Sequence, residues 1–419
     1  MHLEAALAGG RSAMNAVPHF RRNLSLLAVC WSIVAITNLL NVSASALVGH
    51  MLAENKALAT MPIALQWVGI ALCTVPASYV MSKIGRQGGF IIAGIVVCLG
   101  AGLAILGIYE RGFAIYCLGS LLLGAGQGFA WYYRFAAAEV APAPWRSRAI
   151  SLVLAGGVIS GLVGPSLADF SKDMLAPVVF AGAFVSIAAL QALVIVLLLF
   201  IRIPKPAPMR FAGGRPLGVI ARQPKFIVAV MAGVVAYSGM AMLMTVTPLA
   251  MQLCGLNFYQ TTSVIQWHVL GMYLPAFFTG HLIRRFGTYK VMLAGGAAMA
   301  TCILIGTSGQ SYVHFWAAQT LLGIGWNFLY VGATTLLTET YTVEERAKTQ
   351  ALNELLVFVV TGLAIFFSGQ LLHNVGWSAV NLGALPLVLL TVAATAWLWI
   401  KTRKPGPQPA ETPVEAAAK

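Results

Sequence analysis

The 419-residue chain is 59% hydrophobic and 9% charged, with a mean hydropathy of +0.83, which excludes an ordinary soluble domain and places most of the chain in a bilayer. A formal net charge of +14 would suit nucleic acid, but Lys83, Arg86, Arg146, Arg148, Arg284, Arg285, Arg346 and Lys348 fall in alternate connections, and the other connections hold only Lys56, Arg111 and Lys172. That is the positive-inside pattern: it predicts no nucleic-acid partner and a multi-pass membrane protein with both termini cytoplasmic.

In chain order, apolar runs centred near Ile36, Ile70, Ala101, Leu121, Gly156, Ala188, Tyr237, Leu270, Ala300, Gly325, Val360 and Leu389 predict twelve membrane-spanning helices, an all-α membrane protein. Residues 1–20 lack a continuous apolar core and a small-residue cleavage pattern, so the first span is expected to stay uncleaved. The chain divides into a cytoplasmic N-terminal segment 1–21, a six-helix half 22–201, a polar proline-containing linker 202–225, a second six-helix half 226–400 and a disordered cytoplasmic tail 401–419.

The two halves repeat. Gln66-Trp67 recurs as Gln266-Trp267, Glu139 as Glu339, Arg146 as Arg346 and Arg148 as Lys348, each 200 residues on, and Gly124-Ala125-Gly126 returns as Gly323-Ile324-Gly325. Two pseudo-symmetric six-helix halves are the expected architecture. Of the six cysteines only Cys254 is expected near an outer end, so no disulfide framework is legible.

Polar and unusual side chains at membrane depth are costly and mark function. Span 7 carries Met240 and Met244, and span 8 carries His268 and Met272, each pair four apart and therefore on one helix face. Counted from the outer turn at Asn257 to Gln260, with about 1.5 Å of rise per residue, these four donors form a staggered ladder. Thioether and imidazole without carboxylate suit a soft ion such as Cu(I). Cys254 and Met251 are placed to meet such an ion near the outer mouth. Methionine also fills gaps in packed helices, and His268 also suits a hydrogen bond to a neighbouring helix.

A second set consists of Trp131, Tyr132 and Tyr133 in span 4 and Trp326, Asn327 and Tyr330 in span 10. These aromatic faces suit a flat ring, with Asn327 or Gln127 reading its polar edge and Arg134 near the inner end, although helix packing accounts for such clusters equally well. Asp169, Glu139, Glu339 and Glu354 are expected near span ends, so no central carboxylate is expected as a proton relay. No P-loop and no nucleophile–base pair is present, so no enzyme is expected.

Twelve spans in two halves, with "SYVMSKIGRQGG" and "GHLIRRFGTYK" as matching inner loops, resemble the major facilitator superfamily over nearly the whole chain. The family's loop aspartate is replaced by Ser82 in the first loop and Arg284 in the second. The Met-x-x-x-Met of span 7 followed by the His-x-x-x-Met of span 8 resembles the CcoA-like transporters, a branch with copper importers serving cytochrome oxidase assembly and related riboflavin importers. The resemblance implies a secondary transporter importing copper by alternating access through Met240, Met244, His268 and Met272, with riboflavin as the alternative cargo, contacted by Trp131, Tyr133, Trp326, Asn327 and Tyr330. Export of a small organic molecule is a further alternative. Copper enters as cargo and no cofactor is expected. The expected partners are the transported solute, membrane lipids and a copper-accepting chaperone, around a monomeric transporter.

Overall fold

The computed structural model describes residues 19–142, 145–203, 214–342 and 344–402. The expected N-terminal segment up to residue 18, linker residues 204–213 and the tail from 403 lie outside the described residues.

The first half contains α1 (Phe20–Leu52), α2 (Met61–Tyr109), α3 (Phe113–Ala130), α4 (Tyr133–Val140), α5 (Arg146–Leu154), α6 (Gly156–Lys172) and α7 (Ala181–Leu199). After the short α8 (Leu217–Ala221) come α9 (Pro224–Leu253), α10 (Phe258–Tyr273), α11 (Ala276–Phe286), α12 (Thr288–Ser308), α13 (Tyr312–Thr338), α14 (Arg346–Asn374) and α15 (Trp377–Thr402). Among the described residues ten helices are long and apolar enough to cross a membrane. One of them, α2, runs over the second and third spans. The eighth span is divided between α10 and α11, because Pro275 has no N–H to continue the helical ladder. The twelve expected spans are thereby accounted for, and the architecture is that of an all-α membrane protein, a form that lets the chain satisfy its backbone polar groups along each helix.

Local chemistry sets the turns. Gly85 (φ 88, ψ 163) breaks α2, and Gly287 (φ 87, ψ 153) joins α11 to α12, in the two loops singled out from the sequence. Positive φ of that kind is open to glycine at little cost. Arg86, next to Gly85, donates to Glu139 at 2.8 and 3.1 Å, so an ion pair ties the first loop to the end of α4 although Ser82 stands at the family's acidic position. At the turn between α9 and α10 the Asn257 side chain accepts from the Gln260 N–H at 2.8 Å while the Gln260 side chain accepts from the Asn257 N–H at 3.0 Å, a capping box that starts α10.

Glycines bring helices of each half into backbone contact. A Cβ on Gly124 would run into the carbonyl of Gln66, and one on Gly323 into the carbonyl of His268. Gly69 meets the Leu121 carbonyl as Gly271 meets that of Thr320. The structural counterpart of Gln66 is therefore His268, and the 200-residue displacement that aligns Gln66-Trp67 with Gln266-Trp267 is out of register by two at this helix. The side chains agree: Trp67 turns inward against Tyr237 and Phe358, whereas Trp267 is 43% exposed and packs on Trp316. Central to the second half is α9, apolar around its whole circumference and buried along most of its length, as expected of a helix enclosed by others.

Candidate functional site

The halves meet at the end remote from the termini. There the Thr60 hydroxyl donates to the Phe366 carbonyl at 3.3 Å, the Phe180 and Phe258 rings lie 5.3 Å apart, and the Gln266 amide donates to the Leu162 carbonyl at 3.3 Å. Deeper, Trp67 lies edge-on to Tyr237 at 5.5 Å, and Trp67 and Trp131 pack on Phe358 at 5.9 and 5.8 Å.

Between the halves lies a cavity. The first half contributes Trp31, Asn38, Gln66, Trp67, Gln127 and Trp131, and the second contributes Tyr237, Met240, Met244, Thr245, Met272 and Tyr273. Among the described residues no charged side chain lines it. Gln66 donates to the Asn38 carboxamide at 3.0 Å and accepts from the Asn41 amide at 2.8 Å, so one wall carries a preset chain of carboxamides. The indole N–H groups of Trp31 and Trp131 are buried without an acceptor among the described residues. Flat aromatic surface and a few fixed polar groups suit a neutral, planar solute.

The expected ladder is only partly assembled. Met240, Met244 and Met272 converge on the cavity, but His268 does not line it. Its ring is fully buried, and its Nδ1 donates to the Gln319 carbonyl on α13 at 2.8 Å; its Nε2 is buried without a partner. Four residues turn a helix by about 400°, so His268 sits about 40° round from Met272, and the close approach of Gly323 draws that side of α10 against α13. Met251 is fully buried, while Cys254 is exposed and donates to the Gln310 side chain at 3.3 Å. Desolvation pushes the Cys254 thiol up from its ordinary value, which favours the thiol over the metal-binding thiolate. Among the described residues no three His, Cys, Asp or Glu side chains gather as a metal site.

The aromatic set divides as well. Trp131 and Gln127 line the cavity. Tyr133 instead stacks on Phe90 at 4.0 Å within the first half. Trp326 and Tyr330 stack on each other at 5.1 Å and stand edge-on behind Tyr237, as a second layer. Asn327 is committed to packing, donating to the Met272 carbonyl at 2.7 Å and accepting from the Thr279 hydroxyl at 2.6 Å. Sequence reasoning missed Trp31, Asn38, Gln66, Trp67, Tyr237 and Tyr273 as cavity residues. Asn38 and Asn41, three apart in an apolar span, were the available signal for the carboxamide wall.

Glu354 departs from expectation. It lies eight residues inside α14, about 12 Å from the start of that helix at 1.5 Å per residue. Glu139, Glu339 and Asp169 pair with Arg86, Lys225 and Lys172 at 2.8, 2.7 and 3.1 Å. Among the described residues Glu354 makes no such pair.

Residues 263–419 match the Major Facilitator Superfamily. A riboflavin transporter of Brucella anthropi, RfnT, is 39% identical over 375 residues, covering 89% of this chain and 94% of that protein. An uncharacterized transporter of the same superfamily type from Bacillus subtilis, YdeG, is 27% identical over 375 residues, 85% of this chain and 87% of its own. Among solved structures, the human organic anion transporter MFSD10 superposes with a TM-score of 0.64 at 14% identity, over 90% of this chain and 100% of that one. The fucose:proton symporter FucP of E. coli does so at 0.61 and 15%, over 90% and 98%. At such identities the two structures share the fold alone.

Proposed function

This chain belongs to the major facilitator superfamily, and on that premise we propose that it carries riboflavin across the bacterial inner membrane, inward, by alternating access. The observation that carries the proposal is the uncharged cavity between the halves, with Trp31, Trp67, Trp131, Tyr237 and Tyr273 around it and Asn38, Gln66 and Gln127 on one wall. Isoalloxazine is flat and uncharged, with a row of carbonyl and N–H groups along one edge, and the cavity offers a surface for the ring and carboxamides for the edge. The Brucella relative's name supports the same cargo.

Copper is the second reading, favoured by the convergence of Met240, Met244 and Met272. Its imidazole does not line the cavity with them, since His268 packs toward Gln319. One experiment separates the two. A riboflavin auxotroph lacking its own importer should grow on low riboflavin when it expresses this protein, should still grow with Met244→Leu, which keeps apolar volume and removes the sulfur, and should fail with Trp131→Ala. Restored oxidase activity in a copper-uptake mutant, lost with Met244→Leu and without rescue of the auxotroph, would reverse the assignment.

A further inference from the structure

Three methionines line the cavity without a role in holding the polar edge of a flavin. Met240 and Met244, one turn apart on α9, and Met272 on α10 all belong to the second half. The carboxamides Asn38, Gln66 and Gln127 line the cavity from α1, α2 and α3, all in the first half. Because the halves enclose the cavity between them, the two sets stand on opposite sides of the seam. Among the described residues the second half's polar side chains in the lining are Thr245, Tyr237 and Tyr273, single hydroxyls that both donate and accept and so impose no fixed pattern.

The polar wall is fixed and directional. Asn41 donates to Gln66 Oε1 at 2.8 Å and Gln66 donates to Asn38 Oδ1 at 3.0 Å, so the chain of carboxamides ends on the NH2 of Asn38, a residue that lines the cavity. Run in the opposite direction, the chain would leave both N–H groups of Asn41 unpaired on a side chain 2% exposed, the costlier arrangement. The Asn38 NH2 therefore asks for a carbonyl oxygen. The methionine wall makes no such demand. A methionine side chain is unbranched, turns about several bonds and fills irregular gaps, so three together re-pack round groups of different size.

Isoalloxazine has the same division. Its pyrimidine edge carries two carbonyls flanking an N–H, and its opposite end carries two methyl groups on a benzene ring. We infer that the ring lies across the seam, with the Asn38 NH2 donating to a carbonyl of the pyrimidine edge in the first half and the dimethyl end packed among Met240, Met244 and Met272 in the second. This rests on the riboflavin reading and adds to it a substrate class. Flavins enlarged at C8 are accepted, because the methionines yield, and flavins methylated at N3 are rejected, because a hydrogen-bonded chain of carboxamides does not. The length and flexibility of the methionine side chains carry this role, not their sulfur, so the methionine ladder is a soft wall for one end of the ring.

Uptake of labelled riboflavin into proteoliposomes, with unlabelled analogues as competitors, tests this. In the wild type the analogue with dimethylamino in place of the C8 methyl should compete nearly as well as riboflavin, and 3-methylriboflavin should be weaker by about tenfold or more, the equivalent of one hydrogen bond lost at the edge. M240I/M244I/M272I keeps apolar volume but is stiff at χ1, so the dimethylamino analogue should fall about tenfold behind riboflavin while the 3-methyl penalty stays. N38D keeps an acceptor for Gln66 and removes the NH2, so the edge loses its register and the 3-methyl penalty should shrink while the ratio at C8 stays. Loss of folding lowers uptake without changing these ratios. A wild type that rejects the dimethylamino analogue and accepts 3-methylriboflavin overturns the inference, as do equal competition by both and a methionine triple variant that alters the 3-methyl penalty instead. Absence of any riboflavin uptake would overturn the riboflavin reading and this inference with it, whereas uptake with the wrong ratios overturns the orientation alone.

Discussion

Trp131 carries the sharpest test at the scale of single residues, because it lines the cavity and also packs on Phe358 across the seam. One aromatic contact contributes about 0.5–1.5 kcal/mol beyond its area, so Trp131→Phe should raise the half-saturating riboflavin concentration by up to about tenfold, and Trp131→Ala by more. Concentration-dependent uptake of labelled riboflavin checks this. Gln66 makes a different prediction, since it both donates to Asn38 and accepts from Asn41. Gln66→Leu strands two carboxamides, at about 1–3 kcal/mol for each buried group left unpaired, and should lower thermal stability in detergent as well as uptake. His268 faces Gln319 and not the cavity, and its counterpart in the first half is a glutamine, so His268→Gln should fold and transport riboflavin. Abolished riboflavin uptake by a His268→Gln protein of normal abundance would place the imidazole in the transport path after all.

Among the elements, the glycine contacts decide how closely helices approach. A valine at Gly124 or Gly323 meets the backbone of Gln66 or His268, which cannot yield as a side-chain end would. Overpacking of this kind typically costs about 1–3 kcal/mol, so either substitution should reduce the amount of folded protein, measured by size-exclusion profile. Before α14, the Glu345 carboxylate accepts from the Arg215 side chain at 2.7 and 2.8 Å and from the backbone N–H groups of Arg215 and Thr342 at 2.7 and 3.0 Å. These donors hold its carboxyl well below the ordinary carboxylate range, so Glu345 binds a proton less readily folded than unfolded. Its contribution is therefore full above the unfolded value of about 4.3 and declines as pH falls below that value toward the folded one. Glu345→Gln should lower the melting temperature at pH 7, and the gap from the wild type should narrow below pH of about 4. A gap that does not change with pH would mean that the charge contributes nothing there.

For the molecule as a whole, transport requires the remote end to open. A Cβ on Gly369 would lie 3.1 Å from that of Thr60, close to disulfide spacing. Thr60→Cys with Gly369→Cys should, when oxidised, hold the remote end shut and stop riboflavin uptake in vesicles, with recovery on reduction. Undiminished uptake by the oxidised protein would exclude opening at that seam. If the termini are cytoplasmic, exposed Cys254 should react with a membrane-impermeant thiol reagent added outside intact cells.

The sequence by itself determined the spans, the two halves and the glycine loops, because a bilayer forces backbone groups to be satisfied within each helix and only glycine takes the φ found at Gly85 and Gly287. It also brought Met240, Met244, Met272, Trp131 and Gln127 to notice as cavity candidates. What only the tertiary structure decided was the direction in which each face points. An apolar helix in a bilayer has no solvent side to betray its orientation, so nothing in "VIQWHVLGMY" distinguishes His268 facing α13 from Met272 facing the cavity. That choice comes from the close approach of Gly323, a residue more than fifty positions away.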